Sequence, residues 1–194
     1  MGREHLELRF QGPFTLTGNA SGNVFRQREV RQAGIYLFAM ETDQAGTVVR
    51  YVGETGVSFQ KRLKEHLIQT LGGNYRVSDV ASLRSLQEIV LWDGMWRRGT
   101  TGRMQEFVDR YVQLAPAIKE YLDAYRIFLA PMPSEIGQRQ RRLVESALAR
   151  HFQQGPHLMA PDIRYLKRTT EDPYCTVTAQ SSSTVTGLPC VVTA

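Results

Sequence analysis

Cysteine is scarce in this chain, and long apolar runs do not occur. Only Cys175 and Cys190 are present, without CxxC spacing, so a disulfide framework and a zinc site are both disfavoured and we expect two free thiols. No run approaches the ~18 apolar residues that a membrane-spanning helix needs. Residues 1–10 lack the apolar core of a secretory signal. We therefore expect a soluble cytoplasmic protein with no membrane partner.

Charge is moderate and unevenly distributed. The formal net charge is +5, which suits a polyanionic partner and also suits an ordinary soluble enzyme. Residues 134–168 carry most of the local basic excess, whereas the tail from residue 173 onward has no charged side chain. The length of 194 residues fits one domain that can bury its own core.

Two short apolar runs predict a β-hairpin. They span residues 34–41 and 47–53, and the turn-forming residues TDQAG separate them. Residues 125–131 predict a third strand, which ends in proline. These three strands would form a small sheet.

Two amphipathic helices are predicted beside these strands. The first follows Ser58, whose side chain can cap it, and ends at Gly72. The second follows Ser134 as its cap and carries an apolar stripe from Leu143 to Phe152. The order strand, strand, helix, insertion, strand, helix predicts an α/β (α+β) fold.

The remaining segments are less regular. Residues 74–124 are interpreted as a helical insertion, in which Pro116 interrupts one helical pattern and is predicted to start another helix. The first thirty residues predict short strands or irregular backbone, and the loop signal is the clearer of the two. The polar, β-branched tail predicts either a hairpin at an interface or disorder.

Four groups of residues occur in a distinctive order along the chain. A single triplet of this kind would indicate only a strand that ends near a glycine. The groups are Gly34-Ile35-Tyr36, Tyr51-Val52-Gly53, Arg62 and Glu145. This ordered set resembles the motif of the GIY-YIG nuclease family.

The resemblance divides the chain into three parts. It is close over residues 33–70 and looser over residues 124–160. It implies a nuclease domain at 33–160, with the insertion inside it. The extensions at 1–32 and 161–194 lie outside the family pattern.

The resemblance also implies a site. Members of the family share a three-stranded sheet flanked by helices, bind one divalent metal and cut nucleic acid phosphodiesters. Tyr36 and Tyr51 would be the motif tyrosines, Arg62 the active-site arginine and Glu145 the metal ligand, while His66 matches a histidine of the restriction-enzyme branch. The implied cofactor is Mg²⁺, for which Mn²⁺ could substitute.

Phosphodiester hydrolysis needs residue types of this kind. Arg62 offers a permanently charged fork that matches phosphate oxygens, and Glu145 offers a carboxylate to Mg²⁺. A tyrosine ionises only near pH ~10, so His66 is the easier proton acceptor near neutral pH. The sequence leaves open whether His66 or a tyrosine is the base.

Each candidate also has a purely structural explanation. His66 lies near the apolar stripe of its helix and can be a half-buried histidine. Arg62 can be a solvated helix residue, and Glu145 can be an i, i+4 partner of Arg141. The family pattern is what favours the catalytic interpretation.

One departure from the family pattern concerns the metal site. Family members have an asparagine beyond the glutamate, which supports the metal, whereas residues 153–165 contain none. His157 or Asp162 lies in that neighbourhood. Either a substitute polar group takes over, or the enzyme is altered.

Basic side chains could follow the phosphates that flank a cut, a contribution that weakens with salt. A solvated charged face is the alternative for each of them. In the insertion, Arg103 with Trp92 and Trp96 could reach a groove, although tryptophans are more often core residues. The predicted nucleic-acid-binding residues are Lys61, Lys64, Arg97, Arg98, Arg139, Arg141 and Arg142.

The sequence therefore predicts a metal-dependent endonuclease acting on double-stranded DNA, of the type II restriction kind. The chain has little room for a separate DNA-binding module. A homodimer would cut a two-fold symmetric site most simply. The alternatives are a structure-specific nuclease of repair, recombination or defence, and a DNA-binding protein of the same fold that has lost hydrolysis.

Overall fold

The computed structural model describes residues 4–18, 21–95, 103–154 and 166–194. Within these ranges lie eight strands, four α-helices and two short 3-10 turns, which confirms the mixed α/β class. The elements are β1 (Glu4–Thr15), the turns Val24–Arg26 and Arg28–Arg31, β2 (Gly34–Thr42), β3 (Gly46–Thr55), α1 (Phe59–Leu71), β4 (Val77–Ser78), α2 (Val80–Arg84), β5 (Val90–Trp92), α3 (Arg103–Ala124), β6 (Tyr125–Pro131), α4 (Gln138–Gln153), β7 (Cys175–Ser181) and β8 (Cys190–Thr193).

The predicted hairpin and the predicted third strand are both present, and they lie side by side. Strand β2 pairs antiparallel with β3 on one side and with β6 on the other. Gly34 is needed at the start of β2, because a Cβ there would overlap the backbone of Ala130 and Met132. Strands β2 and β6 can therefore approach closely at the end of β2 that carries the first motif.

The sheet is larger than the three strands that the resemblance implies. Its order is β3-β2-β6-β1-β7-β8, so the N- and C-terminal extensions add three strands. Strand β1 runs antiparallel to β6 and parallel to β7, and β7 pairs antiparallel with β8. The tail is thus a hairpin, one of its two predicted forms, and it pairs with β1 of the same chain.

Alternation of side chains explains why both extensions form strands. In β1, Leu8 and Phe10 are buried while their sequence neighbours are exposed. Cys175 and Val177 of β7 are buried in the same alternating way. Of the two forms predicted for the first thirty residues, residues 4–15 therefore take the strand form, although the loop signal is the clearer one in the sequence.

Helices cover both faces of the sheet. On one face α4 buries Val144 and Leu148, together with residues of all the long strands. On the other face α1 and α3 pack, with Phe59 and Leu63 of α1 in the same cluster as Tyr36. The buried stripes of α1 and α4 are those that the sequence predicts.

The two helix starts differ in how well the sequence predicts them. The side chain of Ser58 caps α1 as predicted, because its Oγ accepts the backbone N–H of Lys61 at 3.2 Å. The predicted cap of α4 by Ser134 is wrong, since that helix begins after Gly137 without a side-chain cap. A turn between Pro133 and residue 136 delays its start.

Helix α3 runs through Pro116, so the predicted break there is wrong. A proline removes one N–H and frees the carbonyl four residues earlier, which here belongs to Val112. Both residues are exposed, so water can satisfy that carbonyl. Leu114 and Ile118 hold the other side of the helix in the core.

The rest of the insertion is a two-stranded sheet, β4 with β5, and the short helix α2. Trp92 is 1% exposed, and its indole N–H donates to the carbonyl of Gly73 at 2.6 Å. It is a core residue and does not read a groove. Trp96 lies outside the described residues.

Neither cysteine forms a disulfide. Both Cys175 and Cys190 are thiols, as predicted, and both are buried. Burial raises the pKa of the Cys190 thiol to about 11, which keeps it protonated near neutral pH. Across the described ranges, no helix combines the length and the apolar character that crossing a membrane requires.

Candidate active site

The register of the hairpin brings the two motif tyrosines to one face of the sheet. Tyr36 pairs with Gly53, and Phe38 pairs with Tyr51. Because alternate residues of a strand share a face, both tyrosine rings project to the same side. Their centroids are 6.0 Å apart.

Gly53 explains why a glycine accompanies the second tyrosine. A Cβ at this position would overlap Cζ and the hydroxyl oxygen of Tyr36. The ring of Tyr36 lies across β3 at a place where only glycine leaves room for it. Gly53 of the second motif is therefore needed because the ring of Tyr36, from the first motif, packs against it.

Helix α1 carries Arg62 and His66 over these tyrosines. Phe59 and Leu63 on the same helix are fully buried, which fixes it against the sheet. Residues four apart lie on one side of a helix. Arg62 and His66 therefore face the aromatic cluster together.

His66 is joined to the first motif by a hydrogen bond. The hydroxyl of Tyr36 lies 2.9 Å from Nε2 of His66. Burial, and then the charge of Arg62, lower the pKa of His66 to about 3. The imidazole is therefore neutral near pH ~7.

Both phenols resist ionisation in this environment. Burial, and then the neighbouring Tyr51, hold the pKa of Tyr36 well above its usual value. Burial, and then the charge of Glu145, raise the pKa of Tyr51. Arg62 opposes both shifts, so it is the cation placed to stabilise negative charge at either phenol.

Arg62 is held by an exposed ion pair within its own helix. Its Nη1 lies 3.0 Å from Oε2 of Glu65, and both side chains are more than a third exposed. Surface pairs of this kind contribute roughly 0–1 kcal/mol. An incoming phosphate can replace Glu65 at little cost.

A cleft of about 320 Å³ opens beside these residues. Tyr51, Arg62 and His66 line it, so the structure brings three of the predicted residues into one cavity. Tyr36 does not line it, because its side chain is fully buried and reaches the cleft through His66. The lining also includes Arg50, Tyr75, Arg76, Glu88, Tyr121 and Tyr125.

Glu145 reaches the outer edge of the sheet from α4, on the opposite face. Its Oε1 accepts the backbone N–H of Glu54 at 3.2 Å, and β3 is an edge strand. Burial, and then the charge of Glu54, raise the pKa of Glu145 to about 7. The charges of Arg142 and Arg62 act in the opposite direction and lower this pKa. Glu145 does not line the cleft, but its charge acts on Tyr51 there.

Glu54 and Glu145 form a pair of neighbouring carboxylates. Glu54 is itself bound by Arg141, with 3.2 Å between Oε2 and Nε. Within the ranges that the structure describes, no group of three or more His, Cys, Asp or Glu could hold a metal. Two carboxylates still suit Mg²⁺, which keeps several of its waters. His157 and Asp162, the proposed substitutes for the missing asparagine, lie outside the described residues.

Comparison with known proteins gave no match, since no family model, curated protein or solved structure matches this chain. The relation to GIY-YIG nucleases therefore stays a hypothesis. It rests on the motif residues and on the geometry that brings Tyr36, Tyr51, Arg62 and His66 together.

Some of the predicted nucleic-acid-binding residues are exposed. Lys61 and Lys64 lie on α1, and Arg142 lies on α4. These three can reach a DNA backbone without breaking a buried ion pair. Arg97 and Arg98 lie outside the described residues.

Two other predicted nucleic-acid-binding residues are engaged within the chain. Nη2 of Arg139 lies 2.7 Å from Oδ2 of Asp172, and Nε of the same guanidinium also binds this carboxylate. Arg141 is largely buried against Glu54. Arg139, whose side chain is 50% exposed, and Arg141 thus both form ion pairs within the chain. Arg103 is engaged similarly and lies over the ring of Trp92.

Sequence patterns did not predict the part of the cleft that lies around Arg50. Arg50 interrupts the apolar run TVVRYVG, and a charge within a buried strand is a signal that could have revealed it. Tyr75 and Arg76 follow α1, while Tyr121 and Tyr125 come from the end of α3 and the start of β6. Sequence spacing alone does not show that these segments meet.

Proposed function

We propose that the chain is a metal-dependent endonuclease that hydrolyses DNA phosphodiesters, with a GIY-YIG-like site built on strands β3, β2 and β6. The observation that carries the proposal is the convergence of Tyr51, Arg62 and His66 on one cleft, with Tyr36 hydrogen-bonded to His66. These four residues come from three elements and belong to the same ordered motif. A purely structural role would not require an arginine and a neutral histidine to share a cleft with a motif tyrosine.

Arg62 binds the scissile phosphate in this proposal. Its guanidinium lines the cleft, is partly exposed and pairs only weakly with Glu65. A fixed cation at this position stabilises the negative charge that develops on the phosphate oxygens during attack. It also favours a phenolate at Tyr51.

Tyr51 and His66 are the groups placed to handle the proton of the attacking water. If Tyr36 donates to Nε2 of His66, then Nδ1 carries the hydrogen, and only a phenolate at Tyr51, which the charge of Arg62 favours, can accept the proton. If Nε2–H donates to Tyr36, then Nδ1 of His66 can accept the proton. In both cases Tyr36 is a positioning residue, because it touches His66 and not the cleft.

The metal in this proposal is Mg²⁺, held by Glu145 with Glu54 beside it. The fit rests on their mutual repulsion, since the charge of Glu54 helps to raise the pKa of Glu145 to about 7, and a divalent cation would relieve it. Mg²⁺ binds through one or two carboxylates, and Mn²⁺ accepts the same oxygen ligands. When bound, such an ion polarises a phosphate oxygen and makes water a better nucleophile.

The proposed substrate is double-stranded DNA. Exposed Lys61, Lys64 and Arg142 provide sequence-independent contacts to its backbone. A type II restriction enzyme is the form we propose, acting as a homodimer on a symmetric site. A nuclease specific for junctions or flaps would use the same chemistry with another substrate shape.

Cleavage of supercoiled plasmid DNA, with and without Mg²⁺, tests the proposal. We expect the wild type to nick or linearise the plasmid only with metal, and Arg62→Ala and Glu145→Gln to lose roughly 10²-fold or more of that rate. Arg9→Gln is the matched control, since Arg9 is an exposed arginine on β1 that pairs with Glu7. Its rate should equal that of the wild type.

The outcomes separate the candidate functions. Metal-independent cutting, or full activity of both site variants, contradicts the proposed site. Wild-type binding without cutting, on plasmid, flap and junction substrates alike, would identify a DNA-binding protein instead. Discrete fragments from genomic DNA indicate a restriction enzyme, whereas cutting confined to flaps or junctions indicates the structure-specific form.

A further inference from the structure

Arg50 reaches the cleft because of a β-bulge. Phe38 pairs with Tyr51 and Ala39 pairs with Val49, so Arg50 is the extra residue in β3. In a regular strand, residues 50 and 51 would point to opposite faces. The bulge turns Arg50 to the same side as Tyr51, and both line the cleft.

The guanidinium of Arg50 is only partly satisfied. Its side chain is 6% exposed, and Nη2 lies 3.2 Å from Oε1 of Glu88. Its Nε and Nη1 are buried and have no hydrogen-bond partner among the described residues. A buried charged group with two unpaired donors is unfavourable unless something in the cleft accepts them.

Guanidinium groups are concentrated in the lining of this cleft. Arg76 lies 3.8 Å from Glu88 and, like Arg50 and Arg62, lines the cavity, whereas Glu88 is the one carboxylate in its described lining. Asp93 and Glu65, outside the lining, pair with Arg76 at 3.6 Å and with Arg62 at 3.0 Å. The unpaired donors of Arg50, and not an excess of charge, are therefore what favours an anionic ligand.

The lining is also aromatic and carries hydroxyl groups. Tyr125 donates its hydroxyl hydrogen to the hydroxyl of Tyr121, so Tyr121 keeps its own hydrogen to donate. Tyr75 also lines the cleft and packs against His66, with 5.6 Å between the centroids and 48° between the ring planes. Aromatic walls beside arginines are typical of sites that hold a base and its phosphate.

We propose that the inner end of the cleft binds the phosphate of a nucleotide, with Arg50 and Arg76 as its cationic partners and Tyr121 as a hydroxyl donor. Phosphate offers more acceptor oxygens than a carboxylate, which matches donors from three side chains. The source is either a DNA strand or a free mononucleotide. The DNA source rests on the proposed function, whereas phosphate binding itself does not.

Isothermal titration calorimetry in EDTA tests this site without cleavage. The probes are inorganic phosphate, dAMP and a short DNA duplex, each added to the full chain. We expect the double variant Arg50→Met with Glu88→Gln, which leaves the net charge unchanged, to bind inorganic phosphate and dAMP roughly tenfold or more weakly than the wild type. Arg9→Gln removes one positive charge outside the cleft and should bind like the wild type.

A second variant tests the site even if the double variant does not fold. Arg76 is 37% exposed, so Arg76→Gln should fold and still weaken phosphate binding severalfold. Absence of phosphate and dAMP binding by the wild type, or affinities unchanged in both folded variants, overturns the site. Parallel loss of duplex binding assigns the phosphate to DNA, and loss confined to dAMP assigns it to a free nucleotide. An inactive enzyme that still binds phosphate at Arg50 overturns only the endonuclease proposal.

Discussion

The hydroxyl of Tyr36 lies 2.9 Å from Nε2 of His66, and the tyrosine has no exposed surface. This pair links the first motif strand to the helix that carries Arg62. A fully buried phenol cannot meet a substrate directly. It acts on the cleft through its neighbours there, which are His66, Tyr51 and Arg62.

Removal of this hydroxyl should slow turnover without weakening substrate binding. We expect Tyr36→Phe to fold and to lower kcat by roughly 10²-fold, with KM nearly unchanged, because the ring remains while His66 loses its partner. Steady-state cleavage kinetics with a pH profile would check this. Tyr111→Phe, at an exposed tyrosine of α3, is the control. An unaltered kcat would show that the hydrogen bond has no part in catalysis.

The stability of the protein should depend on pH through two opposing groups. The pKa of His66 falls from 6.5 to about 3 on folding, so between these values the unfolded chain binds more protons and stability rises with pH. The pKa of Glu145 rises from 4.5 to about 7, so there the folded chain binds more protons and stability falls as pH rises. Between pH 4.5 and 6.5 the two effects cancel.

Single variants should reveal the separate contributions of His66 and Glu145 to the pH dependence of the free energy of unfolding. Relative to the wild type, the free energy of unfolding of Glu145→Gln should rise by about 1.4 kcal/mol per pH unit across this window. For His66→Gln it should fall by a similar amount. Urea unfolding at three pH values measures both. Parallel curves for the wild type and both variants would mean that neither group is perturbed.

Divalent metal should stabilise the protein without DNA. At ~10 times Kd, Mg²⁺ adds about 1.4 kcal/mol, which raises Tm by about 3–6 °C for a chain of this size. We expect this shift at pH ~8, where Glu145 is ionised. Differential scanning fluorimetry should show a smaller shift near pH ~5.5 and none in Glu145→Gln. An equal shift in that variant would place the metal elsewhere.

A methyl group at Gly53 should disturb the site by displacing Tyr36. The added Cβ would overlap the ring, and overpacking of this kind costs about 1–3 kcal/mol. We expect Gly53→Ala to lower both the free energy of unfolding and the cleavage rate. Gly137→Ala is the control, because nothing lies within 4 Å of a Cβ there. Wild-type behaviour of Gly53→Ala would show that the ring can move aside.

Arg142 and Arg139 of α4 should differ in how they affect the salt dependence of DNA binding. Arg142 is exposed, so Arg142→Gln should reduce the slope of log affinity against log salt by about one. Arg139→Gln should leave that slope unchanged and lower Tm, because Arg139 binds Asp172. DNA-binding titrations by fluorescence anisotropy at several salt concentrations would measure both. A reduced slope for Arg139→Gln would mean that its ion pair opens on DNA.

The sequence predicted the elements whose signals are local. The hairpin, α1, α4 and β6 each have a clear apolar period and a recognisable turn or end, and all four are present. Strand β1 alternates as clearly, but glycine and proline at positions 12 and 13 suggested a loop. The pairing of β1 with β7 joins segments far apart in sequence, and no local pattern encodes that choice.

The sequence predicted those residues of the candidate site that belong to the motif. Tyr51, Arg62 and His66 line one cleft, as their order along the chain suggested. The role of Arg50 depends on a bulge, which alternation cannot reveal. The pairing of Arg139 depends on Asp172, which lies 33 residues further along the chain and which no local pattern connects to it.

The neighbours of β1 have a consequence for how the protein is made. Apart from a single bridge between Thr15 and Asn23, this strand pairs with residues 126–129 and 175–181. A ribosome synthesises it long before either of these two partners, and distant pairing of this kind is slow. The apolar side of the nascent strand therefore stays uncovered through most of translation.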